Sequence, residues 1–288
     1  MATSTPPEFD MDNRSEISEP SVSHLPEGSI HPIFSSPDAD IVLVSKDNIQ
    51  FRIHSYVLRT ASGWFRDMFS LPQSQSDVQE KTVLPVLESS EVLADLLRMI
   101  SGLELPCLST LDQVESIYDA AEKYDMQGPI SIIRRLIVHP PLIDRPLRVY
   151  ALACKWDWTE EAKVASTKTL EMDLFDEKAL EEVQGTGLMA REFTRLLTLH
   201  RTRRDTLRAK LEDAGIFSAN AVHACGHCGV ANSHYAWQLY KSLRHTEMEK
   251  KPYGEKLTVD DILQRVGTVD VFEARQMKRI VEELPKSI

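Results

Sequence analysis

Residues 38–69 read DADIVLVSKDNIQFRIHSYVLRTASGWFRDMF, and the fold turns on them. Ile41-Val42-Leu43-Val44 is an apolar run of the length of one buried strand. Lys46-Asp47-Asn48 supplies turn chemistry, and Phe51-Arg52-Ile53 alternates as a second, half-buried strand. After His54 the period changes, because Leu58, Ala61, Phe65 and Met68 recur at the spacing of one apolar helix. A hairpin that runs straight into such a helix needs partners on both faces, so it seeds a core. Nothing in the stretch has the look of a catalytic centre.

Upstream, residues 1–31 carry Pro6, Pro7, Pro20 and Pro26 among Ser, Thr and acidic side chains, with scarcely any apolar periodicity. Such a segment buries too little to offset its ordering entropy and is expected to be a disordered tail. Downstream, residues 73–81 are polar and rich in Ser and Gln, as in an exposed loop. Thr82-Val83-Leu84-Pro85-Val86 predicts a third strand, which Pro85 directs to an edge or to a strand end.

The rest of the chain reads as helix. Val92, Leu93, Leu96, Leu97 and Ile100 form a stripe stopped at Gly102, and Thr110 with Gln113 has capping-box spacing ahead of Val114, Ile117, Tyr118 and Ala121. Gly128-Pro129 is expected to break that helix before Ile132, Ile133 and Leu136 begin another. Pro140-Pro141 marks an expected domain edge. Beyond it come a stripe of Leu147, Tyr150, Ala151 and Cys154, a small-residue stripe of Ala162, Ala165 and Ser166, and a long amphipathic helix over about 188–211. Thr258 with Asp261 is a second capping candidate. Strands first and helices after argue α+β rather than a parallel α/β sheet.

Composition narrows the function classes. In 288 residues, 33 basic against 44 acidic side chains leave a net charge of −11. A surface of that sign repels phosphate backbones, so direct nucleic-acid binding is not expected. The start of the chain lacks the basic and apolar regions of a secretory signal, and no apolar run approaches the roughly 18 residues of a membrane span. Cys107, Cys154, Cys225 and Cys228 are too few and scattered for a disulfide framework, which points to the cytoplasm or nucleus.

On these residues the sequence resembles the BTB/POZ family, in a fungal type with a helical C-terminal region. The matching signature is Asp40 leading a strand, then Phe51-Arg52-Ile53-His54, Val57-Leu58 and Ser62-Gly63-Trp64-Phe65-Arg66-Asp67-Met68-Phe69. VLPVLESSEVLADLLRMISG resembles the family's following strand and helix, and AAEKYDMQG, residues 120–128, its late Ala-x-x-Tyr-x-Met helix. Ser101-Gly102 departs from the Tyr-Pro often found there. The resemblance spans about residues 32–138 and implies a small sheet packed on helices, with residues 139–288 as a mainly helical region.

It further implies a protein–protein interaction module, commonly a homodimer. Members serve as adaptors for cullin-type ubiquitin ligases or as oligomerisation subunits of transcription-regulating complexes, and both readings stay open. Asp40 and Arg52 match positions of a buried charged pocket near the dimer interface, where losing one partner would strand a charge; surface charges on the hairpin are the alternative. His54 is expected to orient the start of the helix rather than to do chemistry. Val78-Gln79-Glu80 is a loose match to the hydrophobic-x-Glu contact of cullin-binding members.

HACGHCGVANSH, residues 223–234, is the one constellation of metal-ligand character. Cys225 and Cys228 can place two thiolates on one zinc, with His223 or His227 and His234 or His245 completing a tetrahedron. The second well-spaced pair of a strong zinc signature is missing, so a plain turn with free thiols stands beside the structural zinc. A zinc-dependent enzyme is the reading from another class, but the residue after His223 is Ala224, which leaves no general base, and no other enzyme motif occurs. The basic run Arg201, Arg203, Arg204, Arg208 and Lys210 is diluted by Asp205 and Glu212 and is expected to be a solvated helix face.

Overall fold

The computed structural model describes residues 28–71, 82–213, 232–253, 279–280 and 282–287. The chain divides into two compact units, one of Met1–Ser55 and Ser76–Ser90, the other of Tyr56–Gln75 and Glu91–Ile288.

The first unit is a four-stranded sheet. Its strands are β1 (Ile30–Ser35), β2 (Ile41–Val44), β3 (Gln50–Ile53) and β4 (Thr82–Pro85), in the order β1-β3-β2-β4. β2 and β3 form the expected antiparallel hairpin, with Ile41 opposite Ile53 and Val44 opposite Gln50. All four residues of β2 are buried, which is why they read as an unbroken apolar run rather than an alternation. The turn is closed by Ser45, whose N–H donates to the Ile49 carbonyl at 3.0 Å and whose hydroxyl accepts from the Ile49 N–H at 3.0 Å. Asn48 sits at φ 61°, a left-handed position that Asn tolerates. β4 lies parallel to β2 at a sheet edge and ends on Pro85, so the proline lacks only a bond the edge does not require.

β1 was not foreseen. It begins at Ile30, inside the segment expected to be a disordered tail, and runs parallel to β3 at the other edge. Aromatic contact explains why these residues join the sheet: the His31 ring stacks on Phe51 at 4.7 Å, and Phe34 lies 5.8 Å from Phe51. Gly28 lets the chain in, since a Cβ there would meet the Asn48 carbonyl oxygen at 2.2 Å. Residues 1–27 of the expected tail lie outside the described residues.

From Ser90 onward every described element is helical. Before β4, the one helix expected after His54 is two, α1 (Ser55–Ala61) and α2 (Gly63–Ser70), parted at Ser62. Ser62 is extended at φ −128° and ψ 125°, and its side chain accepts from the Phe65 N–H, so the apolar spacing that seemed continuous is re-started by a cap. α3 (Ser90–Ile100) is followed by Gly102 at φ 69°. α4 (Leu111–Lys123) has the capping box, with Gln113 N–H on Thr110 Oγ1 at 3.3 Å and Thr110 N–H on Gln113 Oε1 at 3.2 Å. It ends at Tyr124, earlier than expected, because Asp125 turns the chain at φ 49°. Gly128 and Pro129 are inside the first turn of α5 (Gln127–Leu136), where proline is tolerated.

A 3-10 turn (Leu142–Asp144) leads to α6 (Pro146–Lys155) and α7 (Thr159–Thr169). Of the small-residue stripe, Ala165 and Ser166 are fully buried and Ala162 is partly so. Tyr118 of α4 stacks on Trp156 at 4.0 Å and meets Trp158 edge-on at 5.3 Å. Arg134 of α5 donates to both oxygens of Glu161 at 3.0 Å, a bidentate pair across Pro140-Pro141. α8 (Glu177–Gly185), α9 (Ala190–Glu212) and α10 (Asn232–Lys250) complete the described elements.

Within the basic run of α9, Arg201 and Arg208 are exposed as expected of a solvated face, but Arg203 is not. Arg203 is 1 % exposed, in line with buried Leu196, Leu199, Leu207 and Leu211. Its guanidinium donates to the carbonyls of Pro252, Tyr253 (3.0 Å), Leu284 (3.1 Å) and Pro285 (2.9 Å). Arg204 pairs with Glu249 at 2.9 Å and Lys210 with Glu283 at 3.1 Å. Arg203, Arg204 and Lys210 therefore fasten later segments to α9.

Candidate interaction site

The hairpin carries an aspartate at each end, and each grips a serine that starts a helix. Asp40, just ahead of β2, accepts the Ser55 N–H at 2.7 Å and the Ser55 hydroxyl at 2.5 Å. Burial pushes the Asp40 carboxyl up, but the two Ser55 bonds and nearby His54 outweigh it and hold the group below the usual carboxylate range. Asp47, in the β2–β3 turn, accepts the Ser90 N–H at 2.8 Å and the Ser90 hydroxyl. Hydrogen bonds from the hydroxyls of Ser90 and Ser45 lower its carboxyl to about 2. Both carboxylates meet an N–H that a helix leaves without an internal partner.

Asp40, Arg52 and His54 are thus close in the sheet without forming one cluster. Asp40 is exposed and turned to Ser55, and among the described residues it makes no ion pair with Arg52. Arg52 faces Val42 across the hairpin, with its Nε shielded from solvent and donating to no described partner. His54 Nε2 lies 3.7 Å from Asp38 Oδ2, so the bonds to the start of α1 come from Asp40. Asp47 had been read only as a turn residue; its partner is 43 positions away, and no local pattern announces such a pairing.

In the second unit, two of the quoted motifs meet. The Ser62 hydroxyl donates to the Tyr124 carbonyl at 2.5 Å while accepting the Phe65 N–H at 3.0 Å. Gly63 N–H donates to the Asp125 carbonyl at 3.1 Å, and Phe65 stacks on Tyr124 at 5.3 Å. A Cβ on Gly63 would meet the Asp125 carboxylate at 1.9 Å. With its hydroxyl bonded both ways and its side chain buried, Ser62 is a joint of the fold and no nucleophile.

Apolar surface lies on both edge strands. Ile30 and Ile33 of β1 are 40 % and 46 % exposed, and Leu87, just after β4, is 78 % exposed. Val78 and Glu80 lie outside the described residues, as do His223, Cys225, Cys228, the side chain of His234, and the Thr258–Asp261 cap. Among the described residues no group of three or more His, Cys, Asp or Glu is placed to hold a metal. His245, the alternative fourth ligand, is on α10. Among the described residues no helix is long and apolar enough to cross a membrane.

No curated protein matches the chain. Residues 34–140, from the end of β1 to the cis Pro140-Pro141 bond, match the BTB/POZ domain family, and this part of the chain is a BTB/POZ domain.

Proposed function

We propose that the protein is a dimerising adaptor, in which the BTB/POZ domain pairs with a second copy and the C-terminal helices hold a client, in the cytoplasm or nucleus. A BTB/POZ domain is a protein–protein interaction module, and the match over residues 34–140 carries this reading. The half-exposed Ile30 and Ile33 on edge strand β1 favour it, since an apolar sheet edge invites pairing with another chain. Light scattering of the full chain at micromolar concentration is expected to give the mass of a dimer, and Ile33→Lys to shift it toward monomer. A monomeric wild type overturns the dimer.

The finer reading is delivery of the client to a cullin-type ubiquitin ligase through Val78 and Glu80. Titration of a purified cullin N-terminal region into the full chain is expected to show saturable binding that Glu80→Lys weakens. A dimer that binds no cullin instead fits an oligomerisation subunit of a transcription-regulating complex. The proposal needs no cofactor. Zinc analysis of the purified chain decides whether His223, Cys225, Cys228 and His234 hold a structural ion.

A further inference from the structure

Between α6, α7 and the start of α9 lies a cavity of about 510 Å³, remote in sequence from the hairpin. Its size falls in the range of about 300–1,000 Å³ typical of small-ligand sites. Tyr150, Cys154 and Trp158 form its wall, and charged groups from α9 enter it: Arg191, Glu192 and Arg195.

Glu192 is the unusual member. It is 8 % exposed, and its Oε2 is shut from solvent with no hydrogen-bond partner among the described residues. A buried carboxylate oxygen left without a donor is costly, and its near neighbours do not help. The Tyr150 hydroxyl donates instead to the Glu192 backbone carbonyl at 3.3 Å. The Cys154 thiol, pushed up by burial, can offer only a weak S–H donor. The carboxylate therefore calls for a strong donor from within the cavity.

The rim makes the opposite demand. Arg191 and Arg195 are four residues apart on one face of α9, and neither makes an ion pair among the described residues. Lys163, also on the rim, is paired with Glu160 at 2.8 Å. Arg191 in the first turn of α9, whose cap residue Met189 offers no side-chain bond, and Arg195 one turn on favour an anionic group. A simple anion would satisfy the arginines and leave Glu192 orphaned beside a like charge. A simple cation would do the reverse.

We propose that this cavity binds a small zwitterion of the amino-acid type, its ammonium group on the Glu192 carboxylate and its carboxylate on Arg191 and Arg195. Asp157, which also lines the cavity, adds a second acceptor for the ammonium end. Apolar surface from Trp158 and Ala162 takes the side chain of the ligand. The BTB/POZ match gives no reason for such a site, so it stands apart from the adaptor reading.

The test is calorimetric titration of the full chain with each proteinogenic L-amino acid, followed for the best binder by its N-acetyl and C-amide derivatives. Saturable binding is expected for at least one free amino acid, with each blocked derivative weakened by about tenfold or more, the loss of one charge-assisted contact. Glu192→Gln and Arg195→Gln are each expected to weaken the free amino acid by a similar factor. Arg195 is exposed, so its variant keeps the test sound should Glu192→Gln fold poorly. The indole N–H resonance of Trp158, identified through Trp158→Phe, is expected to shift with bound ligand. Failure of every amino acid to bind, equal binding of the blocked derivatives, or indifference to Arg195→Gln overturns the proposal. Binding restricted to longer peptides overturns it too and makes the cavity a peptide-docking site.

Discussion

Asp47 and Ser90 are joined by two hydrogen bonds, the serine N–H and hydroxyl each donating to a different carboxylate oxygen across 43 positions of sequence. The tip of the hairpin thereby caps the first residue of α3. Asp47→Ala is expected to cost about 1 kcal/mol, the usual loss of a helix cap. The carboxyl is lowered from 3.8 to about 2, so its contribution is complete above pH 3.8 and vanishes as the pH falls through about 2. Urea unfolding of wild type and variant across the acid range checks both the size and the convergence of the two curves at low pH.

Ser62→Ala is expected to destabilise the chain by about 2 kcal/mol, because the Phe65 N–H and the buried Tyr124 carbonyl both lose a partner. Denaturant unfolding measures it. The same experiment on exposed Ser70→Ala, where a single bond to the Asp67 carbonyl at 2.7 Å is lost to solvent, is expected to change little.

Arg203 is pulled below the usual guanidinium range by burial and is balanced by four carbonyls. Arg203→Met is expected to release the segments at Pro252–Tyr253 and Leu284–Pro285 and to cost about 3 kcal/mol or more. Arg203→Lys does not rescue it, since an ammonium cannot reproduce the planar fork. Hydrogen exchange is expected to rise at residues 282–287 in both variants while the sheet stays protected.

His200 is held neutral. Burial lowers its pKa from 6.5 to about 4, against an opposing pull from Asp173. Thr169 Oγ1 gives its proton to the Ser166 carbonyl at 2.7 Å, so toward His200 Nε2, at 3.2 Å, it accepts and the ring carries its proton on Nε2. A folded-state value below the unfolded one means that the unfolded chain binds the proton first. Stability is therefore lost progressively as the pH falls from 6.5 to about 4, by something on the order of 3 kcal/mol. His200→Gln is expected to flatten that limb of a stability–pH profile.

What was legible in the sequence was local. Ile41–Val44, the Lys46-Asp47-Asn48 turn and the Thr110–Gln113 box each declare themselves within a few residues, and the structure has all three. β1 escaped because Pro32 disguises the strand and because its partner, β3, is reached through parallel pairing that leaves no hairpin signal. The break at Ser62 was hidden by apolar spacing that continues across it. Arg203 was read with its basic neighbours as solvated and Glu192 was passed over, although both stand in the stripe of Leu196, Leu199 and Leu207. A count of helical turns places both on the buried face. Their partners could not be read, because Tyr150, Pro252 and Leu284 come to α9 only through the tertiary fold.

The sheet is closed by a strand that arrives late. β2 pairs locally with β3, but its other edge waits for β4, with Ile41 opposite Thr82 and the helices of residues 55–70 intervening. During synthesis the hairpin can form while β2 still presents a bare row of Ile41, Val42, Leu43 and Val44 backbone groups. Any chain cut or stalled before Pro85 therefore carries an open, wholly apolar edge, and its fate is aggregation or capture by another strand.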